Sequence, residues 1–200
     1  KIPMVFEVRD LWPELPIAMN ILNNPLLIYI AKKIELFAYK NSKKIVALSP
    51  GMKDGIVKTG YPEENVVVIP NASDIEMFDC CEQEKEHFLQ EREWLRGKKV
   101  VVYAGTLGII NGVEYLVYLA KEILKYDRSV VFLIIGSGYE YDSIVRAAIR
   151  EGVFNENVFI ERSIPKNKIP VVLGVSTMVC SLFLDKVEMQ ANSANKFFDA

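Results

Sequence analysis

The sequence predicts an α/β protein with parallel sheets, built as two doubly wound halves. Three observations predict it. Short apolar runs rich in β-branched residues alternate with amphipathic stretches along the whole chain. Residues 98–138 read as one complete strand–loop–helix–strand unit, the minimal right-handed parallel crossover. A charged stretch at 79–97 separates that unit from an earlier series of the same kind.

The elements follow in order. Residues 2–8 form a buried-type strand, and Glu7-Val8-Arg9-Asp10-Leu11-Trp12-Pro13-Glu14 leads off its carboxyl end. The spacing predicts a helix over 26–41 with Leu27, Ile30, Ala31, Ile34 and Ala38 inward. Residues 44–48 are a strand. Ser49 then caps a short helix that has Pro50 at its first position and runs to about Thr59. Residues 66–69 are another strand, left by Pro70-Asn71-Ala72-Ser73-Asp74. The connector at 79–97 is helical and charged, and the one histidine, His87, sits in it as a surface residue, so no Ser-His-Asp or Cys-His arrangement can be built.

Val100–Tyr103 begins the central unit. Gly105, Gly108 and Gly112 punctuate the loop after it. From Val113 the period becomes helical, with Leu116, Val117, Ala120, Ile123 and Leu124 on one face. Residues 130–135 are an uninterrupted apolar strand closed by Gly136-Ser137-Gly138. A helix at 139–151, a strand at 158–160, a short helix at 166–173, a strand at 177–182 and a final helix from Ala194 complete the series. Lys1 is not an initiator Met and residues 193–200 read as the opening turns of a helix, so the chain is expected to be a piece of a longer protein.

Composition excludes several classes. A net charge of −2 gives no general attraction to nucleic acid. Charge is nonetheless uneven: residues 28–60 hold seven lysines against Glu35 and Asp54, whereas 61–93 are strongly acidic. Solvated helix faces and an acidic linker are the favoured reading of this asymmetry. A subsidiary expectation is a peripheral membrane contact, because Lys32, Lys33, Lys40, Lys43 and Lys44 flank a stretch rich in Leu and Ile. Cys80, Cys81 and Cys180 have neither disulfide nor metal spacing, and reduced thiols in a cytosolic protein are the default. The uncharged runs 15–31 and 169–184 are interrupted by Pro and Gly and do not read as membrane spans.

Ligands of parallel α/β sheets bind beyond the carboxyl ends of the strands, where both glycine clusters lie. Gly105-Thr106-Leu107-Gly108-Ile109-Ile110-Asn111-Gly112 can cradle a phosphate through backbone N–H groups, or serve only as tight strand-to-helix turns; its spacing leaves the two readings even. It matches neither the P-loop nor GxGxxG. No acid ends the second strand, which disfavours a dinucleotide dehydrogenase. Lys196 and Asp199, at i and i+3, share a helix face, where a surface ion pair is the plainer reading.

The chain resembles family 4 glycosyltransferases of the GT-B fold, particularly the bacterial surface-polysaccharide subgroup. The matching pieces are residues 7–14 above, Leu-Ser-Pro-Gly-Met-Lys-Asp at 48–54, Val-Ile-Pro-Asn-Ala-Ser-Asp at 68–74, Tyr-Ala-Gly-Thr-Leu-Gly at 103–108, Ile-Ile-Gly-Ser-Gly at 134–138 and Asn-Lys-Phe-Phe-Asp at 195–199. The resemblance implies two Rossmann-like doubly wound domains facing a cleft, both incomplete in this fragment: the later part of an acceptor domain at 1–80, a connector at 81–97, and a truncated donor domain at 98–200. It implies a retaining, metal-free transfer of sugar from a nucleoside-diphosphate donor, UDP first, to a lipid-linked or saccharide acceptor. The nucleotide sugar is then a co-substrate and no other cofactor is needed. The implied location is cytoplasmic, peripheral on the inner face of the membrane, and the fragment alone is expected to be inactive.

The resemblance assigns residues as well. Asp199 matches the acid that binds the donor ribose, and Lys196 a lysine near the diphosphate. Gly105, Thr106 and Gly108 belong to the donor loop, and Arg162 to Ile164 match the loop beside the nucleobase. Asp10 falls where a polar catalytic or acceptor-binding residue is presented, with Arg9 and Ser49 on the acceptor side. The chain departs from the pattern at the loop 106–111, which lacks the usual Arg or Lys, at Ala191, which stands where a second acid is usual, and at Ala72, which replaces Gly. The bare loop motivates an alternative, a catalytically inactive nucleotide-sugar-binding or assembly module. A sugar epimerase using NAD is a weaker third reading.

Overall fold

The structure, a computed structural model, describes residues 2–199. It has two compact units: one runs to Ala72 and includes Asp185–Ala194, and the other is Ser73–Leu184 with the residues from Asn195 onward. The sequence-based division at 1–80, 81–97 and 98–200 differs from this in two places. Residues 73–97 belong to the second unit, because Phe88 and Leu95 are buried in its core. Residues 185–194 leave it for the first, where the Ala191 carbonyl accepts a hydrogen bond from the Ser49 hydroxyl and the Ser193 carbonyl one from the Asn71 amide.

In the first unit the order is β1 (Val5–Val8), α1 (Glu14–Ala18), α2 (Pro25–Lys40), β2 (Lys44–Ala47), α3 (Pro50–Lys58) and β3 (Val66–Val68). The strands form a parallel sheet in the order β1-β2-β3. Asn24 starts α2 by accepting from the Leu26 and Leu27 N–H groups, with Pro25 in the first turn. Ser49 accepts from the Met52 N–H at 3.1 Å and starts α3 in the same way.

The rotation of α2 corrects the sequence-based expectation. Ala31, Glu35 and Tyr39 face the core, while Leu27, Ile30 and Ile34 are exposed. Apolar residues occur on both sides of this helix, so periodicity alone does not orient it. The aromatic ring of Tyr39 decides the matter: it packs between Phe6 and Tyr61, each 6.1 Å away centroid to centroid.

In the second unit α4 (Ile75–Phe78) and α5 (Glu82–Gln90) precede β4 (Lys99–Ala104). Then come α6 (Glu114–Ile123), β5 (Val130–Ile135), α7 (Tyr141–Arg150), β6 (Val158–Glu161), α8 (Ile169–Gly174), β7 (Met178–Val179) and α9 (Asn195–Asp199). The sheet is fully parallel in the order β6-β5-β4-β7. Both faces of β4 and β5 are covered. Val101, Tyr103, Phe132 and Ile134 point to α6 and α7, where Leu116, Val117, Ile144 and Ala147 meet them. The alternate residues Val100, Val102, Val131 and Leu133 point to the other face, covered by Phe88, Leu95, Val171 and Val172. The connector is thus part of a helical layer, held by the bidentate pair of Arg92 with Glu161 at 2.8 Å and by Trp94 stacked on Phe159 at 3.5 Å. The last strand is shorter than expected, two residues in place of six.

Among the described residues no helix is long and apolar enough to cross a membrane.

Candidate functional site

Sheet order locates the site. The chain leaves β4 through α6 to β5 on one side, and reaches β7 from β6 through α8 on the other. Winding therefore reverses between β4 and β7, and the loops diverge beyond their carboxyl ends to open a crevice. A cavity of about 540 Å³ lies there, lined among others by Gly105, Thr106, Gly108, Asn111, Lys196 and Asp199.

The loops after β4 and β5 are fastened together. Gly105 N–H donates to the Ile135 carbonyl at 2.9 Å, and Leu107 N–H to the Ser137 carbonyl at 3.0 Å. The approach is so close that a Cβ on Gly136 would lie 2.0 Å from the Gly105 oxygen. Glycine is required there by space, not by an unusual turn.

Two lysines line the cavity, Lys166 and Lys196, and Lys196 is the one set against the glycine loop. Its Nζ lies 4.1 Å from the centroid of the Tyr103 ring, and a Cβ on Gly105 would stand 2.8 Å from it. The Tyr103 hydroxyl donates to the Thr106 carbonyl at 2.8 Å, which fixes ring and loop together. Burial pushes the Lys196 ammonium below its ordinary pKa, and no neighbouring carboxylate counters that shift. Asp199 lines the same cavity, yet the two form no ion pair among the described residues; the plain surface pair is not what the structure contains. An under-neutralised ammonium beside a backbone loop and a carboxylate is a place for an anion that also carries hydroxyl groups.

Of the donor-side residues expected from sequence, five share this cavity: Gly105, Thr106, Gly108, Lys196 and Asp199. Arg162 and Ile164 do not line it. The Arg162 guanidinium lies 3.6 Å over the Tyr141 ring, and Ile164 packs on the core face beside α5 and α8. Asn111, from the loop expected to form the cradle, also lines the cavity, while the contribution of the Tyr103 side chain was not anticipated. Tyr103 reads in sequence as a core residue of its strand, and nothing in the spacing marks its hydroxyl as the tie to the loop.

In the first unit Arg9 and Asp10 line a smaller cavity of about 230 Å³ with Trp12 and Ile34. Burial raises the Asp10 carboxyl, and Arg9 partly offsets this. Arg9 also lies 3.6 Å from the Glu7 carboxylate. Ser49 is engaged structurally, accepting from Met52 and donating to Ala191 at 2.5 Å. A larger cavity of about 680 Å³ is lined by Glu14, Lys32, Glu35, Asp54 and Lys58, among others. Glu35 is 8% exposed there, and its carboxyl is pushed up to about 7, first by burial and then by the charge of Glu14. Sequence reasoning missed Glu35, taking it for part of a solvated, lysine-rich face. His87 is exposed and 3.5 Å from Glu91, as a surface residue would be.

Comparison with known proteins follows this geometry. No protein-family model matches the chain. It is 24% identical over 131 residues to the Escherichia coli K12 colanic acid biosynthesis glycosyl transferase WcaI, an alignment covering 65% of this chain and 32% of that protein. It is 27% identical over 110 residues to the Streptomyces kanamyceticus α-D-kanosaminyltransferase, covering 54% and 28%. Among solved structures, Anabaena HepE in complex with UDP-glucose superposes with a TM-score of 0.71 at 18% identity, over 90% of this chain and 47% of that one. WaaG, a glycosyltransferase involved in lipopolysaccharide biosynthesis, superposes with a TM-score of 0.68 at 14% identity, over 93% and 52%. The likeness shows the fold, the parallel α/β architecture of GT-B glycosyltransferases. The chain spans about a third of the curated relatives it matches and about half of the solved structures.

Proposed function

We propose that this chain is part of a glycosyltransferase that moves a sugar from a nucleoside-diphosphate donor, UDP first, to a lipid-linked or saccharide acceptor in bacterial surface-polysaccharide synthesis. The second unit supplies the donor site. The observation that carries this reading is Lys196: a partly buried ammonium without a carboxylate in an ion pair, set against the glycine loop in the switch-point cavity. A diphosphate is the anion that satisfies it, with Asp199 accepting from ribose hydroxyls and the N–H groups of Thr106 and Gly108 completing the cradle, since those of Gly105 and Leu107 are bonded to the loop after β5. As the glycosidic bond to the diphosphate breaks, charge grows on the leaving oxygens, and Lys196 and those N–H groups stabilise it. Transfer is assigned with retention and without a metal or other cofactor, in the cytoplasm. Arg162 and Ile164 are assigned to the side of the nucleobase, and Asp10, Arg9 and Ser49 to the acceptor side. The names of the curated relatives and the nucleotide complexes of the solved neighbours support the reading.

Calorimetry tests it. UDP is expected to bind, and Lys196→Ala to weaken UDP by roughly 10–100-fold while changing uridine by less than about 3-fold, as loss of a charge-assisted contact to phosphate requires. No UDP binding at millimolar concentration overturns the reading, and equal losses for UDP and uridine remove Lys196 from the phosphate site. A second reading, an inactive nucleotide-sugar-binding module, is favoured by the absence of Arg and Lys from the loop 106–111. Transfer or donor hydrolysis by the natural full-length protein decides between them, and the anomeric configuration of the product by NMR tests retention.

A further inference from the structure

The 680 Å³ cavity of the first unit is walled by α1, α2, α3 and the segment Asp185–Ala194. Its charged lining is Glu14 from α1, Lys32 and Glu35 from α2, Asp54 and Lys58 from α3, and Glu188. Among the described residues none of these takes part in an ion pair, although charged groups pair freely elsewhere in the chain. Two of the carboxylates are also withdrawn from water. Glu35 is buried, and its hydrogen-bonding neighbour is Tyr39 on its own helix. Glu14 Oε2 is buried and has no hydrogen-bond partner among the described residues. The two are close enough for the charge of Glu14 to raise the Glu35 carboxyl, and Lys32 is the weakest of the influences on it. A buried carboxylate pair with no cation beside it is costly, and a cation entering the cavity removes that cost.

We infer that this cavity binds an aliphatic diamine or polyamine, with one ammonium group held between Glu14 and Glu35. A second ammonium on the same stem is met by Asp54 and Glu188, the other carboxylates of the wall. Leu11, Leu36 and Val187 give the stem an aliphatic surface to lie along. Charge sets the sign of the ligand, since four carboxylates face two lysines. A metal ion is the poorer occupant. It needs several ligands converging on one point, and among the described residues no three acids, histidines or cysteines come together in that way. An extended cation meets carboxylates singly and needs no such cluster. The proposal does not depend on the nucleotide-sugar reading, because this cavity shares no lining residue with the donor cavity.

Calorimetry of the chain with 1,4-diaminobutane tests it. One equivalent is expected to bind with a Kd below about 1 mM, while 1,4-butanediol, of the same length without charge, binds at least about 10-fold more weakly. Magnesium chloride should not compete. Affinity should also rise with pH, because the Glu35 carboxyl, pushed up to about 7, must lose its proton to hold an ammonium. The charged groups facing Glu35 are Glu14, Lys32, Asp54, Lys58 and Glu188 in this cavity, and Arg9 and Asp10 in the smaller one. Between about pH 6 and about pH 8 the gain is expected to be about 10-fold. Glu14→Gln and Glu35→Gln should each weaken the diamine about 10-fold or more, and the α6 control Glu122→Gln should change nothing. Circular dichroism reports whether each variant is folded. No binding at about 10 mM, equal binding of diamine and diol, or a flat pH profile overturns the proposal. So does magnesium that displaces the diamine, or unchanged affinity in the folded Gln variants. The diol, magnesium and pH comparisons use the unaltered chain and decide the matter even where a variant fails to fold.

Discussion

Glu35 shows how a single residue couples burial to pH. Its carboxyl is raised to about 7 because water is excluded and Glu14 is near. Below about pH 4.5 the folded and unfolded chains both hold this proton. Between about 4.5 and about 7 only the folded chain keeps it, so stability falls as pH rises through that window and levels off above it. Glu35→Gln removes the titration. The variant is expected to be more stable than the parent by about 1–2 kcal/mol at pH 8 and nearly equal to it at pH 4, measured by urea unfolding at each pH. Gly136 makes the opposite point, since it fails by volume rather than charge. A methyl group 2.0 Å from the Gly105 oxygen forces the two site loops apart. Gly136→Ala is expected to cost about 2–4 kcal/mol and to weaken UDP binding, read by urea unfolding and calorimetry. Neither behaviour is visible in the sequence at those positions: the burial of Glu35 depends on which way a helix turns, and the crowding at Gly136 depends on a loop thirty residues earlier.

At the scale of elements, periodicity read the interior of the second unit well. The helix face with Leu116, Val117 and Ala120 is buried as expected, and the apolar run 130–135 is a central parallel strand. It read two things less well. α2 carries apolar residues on two sides, and a tyrosine cluster rather than the apolar pattern set its rotation. The acidic stretch 79–97 looked like a linker because its charges outnumber its apolar residues, yet Phe88 and Leu95 suffice to dock it. Arg92 locks it in place, with two 2.8 Å contacts to Glu161 and its guanidinium 4.1 Å over the Phe88 ring. Arg92→Ala is expected to destabilise the second unit by about 1–3 kcal/mol, because it leaves a half-buried carboxylate without its partner. Urea unfolding followed by Trp94 fluorescence measures the loss.

Across the whole molecule, protection should follow the sheet order. β4 and β5 are interior strands covered on both faces, so their amides should exchange slowest, on the order of 100-fold more slowly than those of the two-residue β7. Hydrogen exchange with mass spectrometry reads this directly, and UDP should slow exchange further in the loop 105–112 if the donor reading is right. The sequence by itself determined the fold class, the parallel sense of the sheets and the loop on which the candidate site is built, because each is written in local periodicity and in glycine at strand ends. Tertiary structure decided which residues meet: Lys196 is brought to Gly105 and Tyr103 across ninety residues of chain, Arg162 turns to Tyr141 instead, and α2 buries a carboxylate while exposing phenylalanine. Those outcomes rest on packing between elements distant in sequence, a physical choice that no local pattern encodes.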